Sequence, residues 1–218
     1  MPILSRSHPP TIPIMARSKS SASWLSRHLS DPFVKQAQKD GYRSRAAYKL
    51  IELNEKDKLI RPGMRILDLG SAPGGWSQVA GRIVGDKGRV LATDILPMDS
   101  IRNVDFIQGD FTDDAIVEQL LGWLGGGRFD LIISDIAPNI TGISSADQAS
   151  SIHFLELALD TVCRTLKPGA TFVAKMFQGA GSDQYLKQLR THFDKVAIRK
   201  PAASRKESRE VYLVAKGF

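Results

Sequence analysis

Apolar positions along the chain follow two alternating rhythms. Short apolar runs read as strands over residues 65–69, 89–94, 104–108, 129–135, 170–177, 195–200 and 210–216. Apolar residues at three- and four-residue steps read as helices over 75–84, 113–124, 146–167 and 182–193. The stretch 146–167 is the clearest, with Ile152, Leu155, Leu159, Val162 and Leu166 on one face and Lys167-Pro168-Gly169 as the stop. An earlier helix starts at about residue 43, with Ser44 as its cap and Ala47, Leu50, Ile51 and Asn54 along one face. It ends at Pro62-Gly63. Apolar strands alternating with helices predict a doubly wound α/β sheet of seven strands, mostly parallel and covered on both faces. No helix separates the last two strands, so they are expected to close the sheet as an antiparallel hairpin.

Composition narrows the class. The 218 residues are 42% hydrophobic and 24% charged, as in an ordinary globular domain. No apolar run approaches the ~20 residues that span a bilayer. A single cysteine, Cys163, excludes a disulfide framework, and the scattered His8, His28, His153 and His192 give no metal-ligand spacing. Residues 1–23 are rich in Ser, Pro, Lys and Arg and read as a disordered basic arm. Met15 is a plausible true start, and a mitochondrial presequence is a lower-ranked rival reading of the arm, which lacks a clear amphipathic helix. No apolar signal segment is seen, so a cytoplasmic location is expected. Charge is unevenly placed: residues 1–61 carry +7, 62–186 carry −6 and 187–218 carry +6. Basic ends suit a polyanion, and the acidic middle suits a small cationic ligand. An unevenly charged solvated surface explains the same figures about as well.

Candidate chemistry gathers at the ends of the predicted strands. The first runs into Asp68-Leu-Gly70-Ser-Ala-Pro73-Gly74-Gly-Trp76, a Gly-rich turn where doubly wound sheets bind nucleotides. It is neither Gly-x-Gly-x-x-Gly nor a P-loop. The second strand ends at Asp94, placed to accept from ribose hydroxyls, and the third at Gly109-Asp110-Phe111, where an adenine edge would lie. The fourth ends at Ser134-Asp135-Ile-Ala-Pro138-Asn139. Each acid alone could be a cap or turn former. Four on one rim, without a metal signature, fit a cationic adenosine cofactor, and S-adenosylmethionine is the candidate. Lys175 interrupts the apolar strand Thr171–Phe177, and Glu210, Tyr212 and Val214 share one face of the last strand.

These segments resemble the FtsJ/RrmJ (RlmE) family of RNA 2′-O-methyltransferases, over about residues 24–218. The resemblance implies a single Rossmann-like, seven-stranded methyltransferase domain with an N-terminal helical RNA-binding extension over 24–61. It implies a catalytic set of Lys49, Asp135, Lys175 and Glu210. It also implies cofactor contacts from Gly74, Trp76, Asp94, Asp110 and Asp135, to which the loop reading adds Asp68, Gly70, Pro73 and Phe111. The implied reaction moves a methyl group from S-adenosylmethionine to the 2′-hydroxyl of a uridine in the A-loop of large-subunit (23S) rRNA, within the large ribosomal subunit. Partial burial and a nearby Lys49 would leave Lys175 a neutral amine, able to act as base or to orient the hydroxyl. Trp76 is expected to pack on the cofactor in preference to the core. Lys35, Lys39, Arg43, Arg45, Arg199, Lys200, Arg205, Lys206 and Arg209 are expected to hold RNA phosphates. Asn139 and the Thr141–Ser145 loop are expected to shape the substrate mouth, and the chain is expected to be a monomer. Other readings stay open: a nicotinamide-dependent oxidoreductase, a non-catalytic RNA-binding assembly protein, or the same chemistry on tRNA or an mRNA end.

Overall fold

The structure is a computed structural model that describes residues 31–137, 144–205 and 207–218. The predicted arm (1–23), the start of the extension, Pro138, Asn139, most of the Thr141–Ser145 loop and Lys206 lie outside the described residues. Helices α1 (Pro32–Lys39) and α2 (Ala46–Asp57) lead into β1 (Arg65–Leu69), α3 (Gly75–Val84), β2 (Arg89–Asp94) and β3 (Val104–Gln108). The chain continues as α4 (Asp114–Leu124), β4 (Phe129–Ser134), α5 (Ser144–Thr165), β5 (Leu166–Phe177), α6 (Ser182–His192), β6 (Lys195–Arg199) and β7 (Glu210–Lys216).

The seven strands form one sheet in the order β3-β2-β1-β4-β5-β7-β6. The first five are parallel, and β7 runs antiparallel to both β5 and β6. The expected hairpin is present, but β7 does not lie at the edge: it inserts between β5 and β6. Period-two alternation divides the core between two faces. Ile66, Val90, Leu131, Ile133, Val173 and Val214 pack with Leu50 and Leu53 of α2 and Val79 and Val84 of α3. Leu67, Leu91, Ile132, Phe172 and Leu213 pack on the other face with Leu120 of α4, Leu159 of α5 and Tyr185 of α6. Burial of each such side chain is worth about 1.5–3 kcal/mol.

The N-terminal extension differs most from its sequence pattern. It contains two helices. Asp31 caps α1 by accepting from the Phe33 N–H at 3.0 Å, with Pro32 in the first turn. The second helix begins at Ala46 rather than about residue 43, and Ser44 is not its side-chain cap. Ser44 instead turns its hydroxyl toward the start of α3, where a Cβ on Gly75 would come within 2.3 Å of it. The same helix ends at Asp57, before Pro62-Gly63, and Asn54 Oδ1 accepts from the Ile60 N–H beyond it.

Polar ties fasten α2 to the β6–β7 end of the sheet. Glu52 accepts from the N–H groups of Ala202 (2.6 Å) and Ala203 (2.9 Å). Arg199 forms a two-pronged ion pair with Asp57, both contacts at 2.8 Å, and Lys216 donates to the Asp57 carbonyl. Arg45 pairs with Asp31 and donates to the Ala203 carbonyl. The extension is therefore part of the domain's packed body, and Lys49 on α2 is aimed at the start of β7.

Candidate active site

Strand direction gathers the polar residues on one rim. In a doubly wound sheet, ligands bind at the carboxyl ends of parallel strands, where connections diverge to either side. Here β1 lies between β2 and β4, so the divergence falls at β1. Asp94 closes β2, and Asp110 and Asp135 follow β3 and β4 on that rim. Because β7 is antiparallel, its first residue, Glu210, reaches the same rim and pairs in register with Phe177, while Tyr212 lies directly opposite Lys175. Residues directly opposite in an antiparallel pair point to the same side.

A cavity of about 290 Å³ opens there, lined by Gly70, Ala72, Asp94, Ile95, Leu96, Gly109, Asp110, Phe111, Asp135, Ile136, Ala137 and Phe154. Asp94 braces it by accepting from the Ala72 N–H (2.9 Å) and the Leu96 N–H (2.8 Å). Asp110 accepts from the Thr112 N–H and hydroxyl, which fixes its orientation. Gly70 has φ +68°, and a Cβ there would meet Ile136 Cγ1 at 2.0 Å, so the floor requires glycine. Ile95 and Leu96 are 62% and 59% exposed although large and apolar. Three carboxylates and apolar walls suit a ligand with hydroxyls, a flat ring and positive charge. A larger depression of about 610 Å³, lined by Arg43, Gln78, Arg82, Asp86 and Arg102, lies on the flank of α3, away from these carboxylates.

Next to the cavity stands a chain of charged pairs. Lys175 Nζ contacts Asp135 Oδ1 at 3.0 Å and donates to the Asp135 carbonyl at 2.6 Å. Tyr212 donates its hydroxyl to the same Asp135 Oδ1 at 2.7 Å. Lys49 pairs with Glu210 at 2.8 Å and lies 5.4 Å from the centre of the Tyr212 ring. Each lysine thus has its own carboxylate, instead of facing the other unneutralised. Burial pushes the Glu210 carboxyl up, but the charge and hydrogen bond of Lys49, aided by Lys175, outweigh this and hold it below the usual carboxylate range. Burial also pushes the Tyr212 phenol well above its ordinary value, with the Asp135 charge adding.

The structure brings Lys49, Asp135, Lys175 and Glu210 together, and it brings Gly70, Asp94, Asp110, Phe111 and Asp135 to the cavity wall. Four expected cofactor residues stand elsewhere. Asp68 is fully buried beneath the loop, where it accepts from the Ser77 hydroxyl at 2.6 Å. Burial pushes its carboxyl up to about 7. Trp76 packs in the core against Tyr212, ring centres 5.6 Å apart, and its indole N–H donates to the Ala46 carbonyl. It opens α3 on the side that faces α2, which turns the ring away from the cavity. Pro73 and Gly74 shape the turn behind the wall rather than the wall itself.

Several expected phosphate contacts are also engaged internally: Arg43 with three backbone carbonyls, Arg45 with Asp31, Arg199 with Asp57, and Lys200 with the Ser208 and Glu210 carbonyls. Lys35, Lys39, Arg205 and Arg209 are exposed. Tyr212 and the Ile95-Leu96 pair were not among the predicted site residues. Tyr212 shares a strand face with Glu210, and that period-two relation is the signal that points to it.

Strand order, rim carboxylates and an antiparallel seventh strand define the class of Rossmann-like methyltransferases. Fibrillarin from Aeropyrum pernix, solved with natively bound S-adenosyl-L-methionine, shares the fold at a TM-score of 0.57 and 17% identity, over 80% of this chain and 75% of that one. The chain belongs to the FtsJ-like methyltransferase family, whose profile matches residues 42–218. It is 69% identical to ribosomal RNA large subunit methyltransferase E of Stutzerimonas stutzeri, over 94% of this chain and 99% of that protein. It is 63% identical to the protein of the same name from Marinobacter nauticus, over the same shares. A Plasmodium falciparum structure described as a ribosomal RNA methyltransferase matches at a TM-score of 0.74 and 33% identity, over 81% of this chain and 98% of that one. Among the described residues no helix is long and apolar enough to cross a membrane.

Proposed function

We propose that this methyltransferase acts in the cytoplasm, as a monomer, on large-subunit rRNA, methylating the ribose 2′-hydroxyl of an A-loop uridine within the large subunit. The observation that carries the reading is Asp135, which lines the cavity with one side and holds Lys175 and Tyr212 with the other. One residue joins a nucleotide-type pocket to a lysine placed for a hydroxyl.

The cavity fits S-adenosylmethionine by the chemistry of its walls. Asp94 would accept from the ribose hydroxyls and Asp110 from an adenine edge. Ile95, Leu96 and Phe111 would cover apolar surface, and Asp135 would face positive charge. Bound there, the cofactor supplies a methyl group already activated by sulfonium, which leaves the protein to position the hydroxyl and manage one proton. Lys175, ion-paired with Asp135, donates to the 2′-hydroxyl oxygen and orients it, and as that oxygen takes the methyl its proton leaves to water at the open mouth. Lys49 and Glu210 complete the mouth and keep the paired charges balanced. Lys35, Lys39 and Arg205 hold RNA phosphates, which supplies affinity and register but little sequence choice.

The test is nucleoside mass spectrometry after incubation with S-adenosylmethionine and unmodified large subunits, their naked rRNA, or tRNA. The reading expects 2′-O-methyluridine in large subunits. Methylated tRNA alone would move the substrate. No transfer despite cofactor binding would favour an assembly protein.

A further inference from the structure

The β1–α3 turn and the β2–β3 connector form two walls of the cavity. Gly70 and Ala72 stand on the first, Ile95 and Leu96 on the second. The connector from Ile95 to Ser100 contains no helix or strand, and most of it is exposed. On the cavity side, Asp94 ties the walls together through the Ala72 and Leu96 N–H groups. On the outer side a single side chain does so. Arg43 Nη1 donates to the Pro73 carbonyl (3.2 Å) and the Asp99 carbonyl (2.8 Å), and Nη2 donates to the Ser100 carbonyl (2.9 Å).

Arg43 is itself anchored. Its backbone N–H donates to Gln78 Oε1 at 2.8 Å, and Gln78 Nε2 donates to the Gly41 carbonyl at 3.0 Å. The α1–α2 junction is thus pinned to α3, and the guanidinium projects from a fixed base. Gly74, at φ +104°, lies beneath this junction, where a Cβ would stand 2.7 Å from Ile101 Cδ1, 2.9 Å from Met98 Sδ and 3.1 Å from Arg43 Nη1. A planar guanidinium can donate in several directions at once, whereas a lysine amine cannot reproduce that fork.

We propose that Arg43 is a positioning residue for the cofactor cavity: it clamps the β1–α3 turn to the β2–β3 connector, and so makes the N-terminal extension a support of the cofactor site. The role rests on the reading of this cavity as the cofactor site. It replaces the phosphate contact that the sequence pattern assigns to Arg43.

The test compares wild type with Arg43→Ala and Arg43→Lys. Hydrogen exchange of the Leu96 amide, the connector N–H that donates to Asp94, reads the clamp in the ligand-free protein, and calorimetric titration with S-adenosylhomocysteine reads the cavity. The proposal expects faster exchange at Leu96 in both variants and a Kd raised at least tenfold, with lysine failing to rescue. The kinetic loss falls on the cofactor KM more than on kcat, and the salt dependence of RNA binding stays as in wild type. Unchanged exchange and Kd, with an RNA salt slope shallower by about 1, would make Arg43 a phosphate contact and overturn the proposal. Wild-type protein that binds no S-adenosylhomocysteine would overturn the cofactor reading. Exchange would still judge the clamp.

Discussion

Substituting Gly70 by alanine tests the cavity floor with a single methyl group. Two costs add. The backbone at φ +68° is left-handed, which costs a residue with a Cβ about 1–2 kcal/mol. The new Cβ would also stand 2.0 Å from Ile136 Cγ1 and 2.9 Å from its Cδ1, so Ile136 must leave its rotamer, at about 0.5–1.5 kcal/mol, or the turn must move. The sum, about 1.5–3.5 kcal/mol, lowers the melting temperature of a domain this size by roughly 3–14 °C. Gly70 and Ile136 both line the cavity, so either adjustment reshapes it. If binding must reverse that adjustment, S-adenosylhomocysteine binds about tenfold more weakly or worse. Gly63→Ala is the control: φ there is +84°, but nothing lies within 4 Å of the added Cβ. It should lose only the backbone part of the stability and none of the binding. Calorimetry and thermal melts on both variants decide. Wild-type affinity in Gly70→Ala, or an equal loss of affinity in Gly63→Ala, would refute the reasoning.

Three further outcomes are expected. Asp68 has its native pKa raised from 3.8 to about 7, so its contribution to stability is complete below pH 4 and is lost as pH rises through 7. Urea unfolding from pH 4 to 8 should show Asp68→Asn gaining on wild type as pH rises, by at most about 1.4 kcal/mol per unit; parallel curves would contradict this. Arg199→Ala removes the two-pronged partner of the half-buried Asp57 carboxylate, leaving Lys216 Nζ 3.9 Å from it, and should cost about 1–2 kcal/mol in chemical unfolding while leaving the salt dependence of RNA binding unchanged. A changed slope would restore Arg199 to the RNA face. Tyr212→Phe removes one of two side-chain partners of Asp135 Oδ1 and should lower kcat roughly tenfold, since a charge-assisted hydrogen bond is worth about 1.5–3 kcal/mol. Full activity in single-turnover assays would remove the hydroxyl from the account.

Local pattern carried the elements well and the long-range partners poorly. Strands at Arg65–Leu69, Arg89–Asp94 and Glu210–Lys216 fall where the apolar runs place them, because a buried strand writes its burial into consecutive side chains. Insertion of β7 between β5 and β6 has no local signature, since an antiparallel neighbour on either side satisfies the same alternation. The short helix α1 holds only Val34 and Ala37 in its buried face, too few to stand out as a period. The rim acids illustrate the same limit at the site. Asp94 ends its strand, Asp110 and Asp135 follow theirs, and all three reach the cavity, while Asp68 precedes the end of β1 and is folded under the turn. Charge was least readable of all, because an arginine bound to a carboxylate or to three carbonyls looks, in sequence, like one waiting for a phosphate.

We propose that Lys175, held by Asp135, serves the hydroxyl and not the cofactor. One measurement addresses it directly: single-turnover transfer of labelled methyl to large ribosomal subunits by wild type and Lys175→Ala, with S-adenosylhomocysteine affinity titrated on the same preparations. The account predicts transfer slowed by about 100-fold or more in the variant, with affinity within a few-fold of wild type and the wild-type label recovered as a 2′-O-methylated nucleoside. Transfer at the wild-type rate, or a loss explained entirely by weaker cofactor binding, would contradict it.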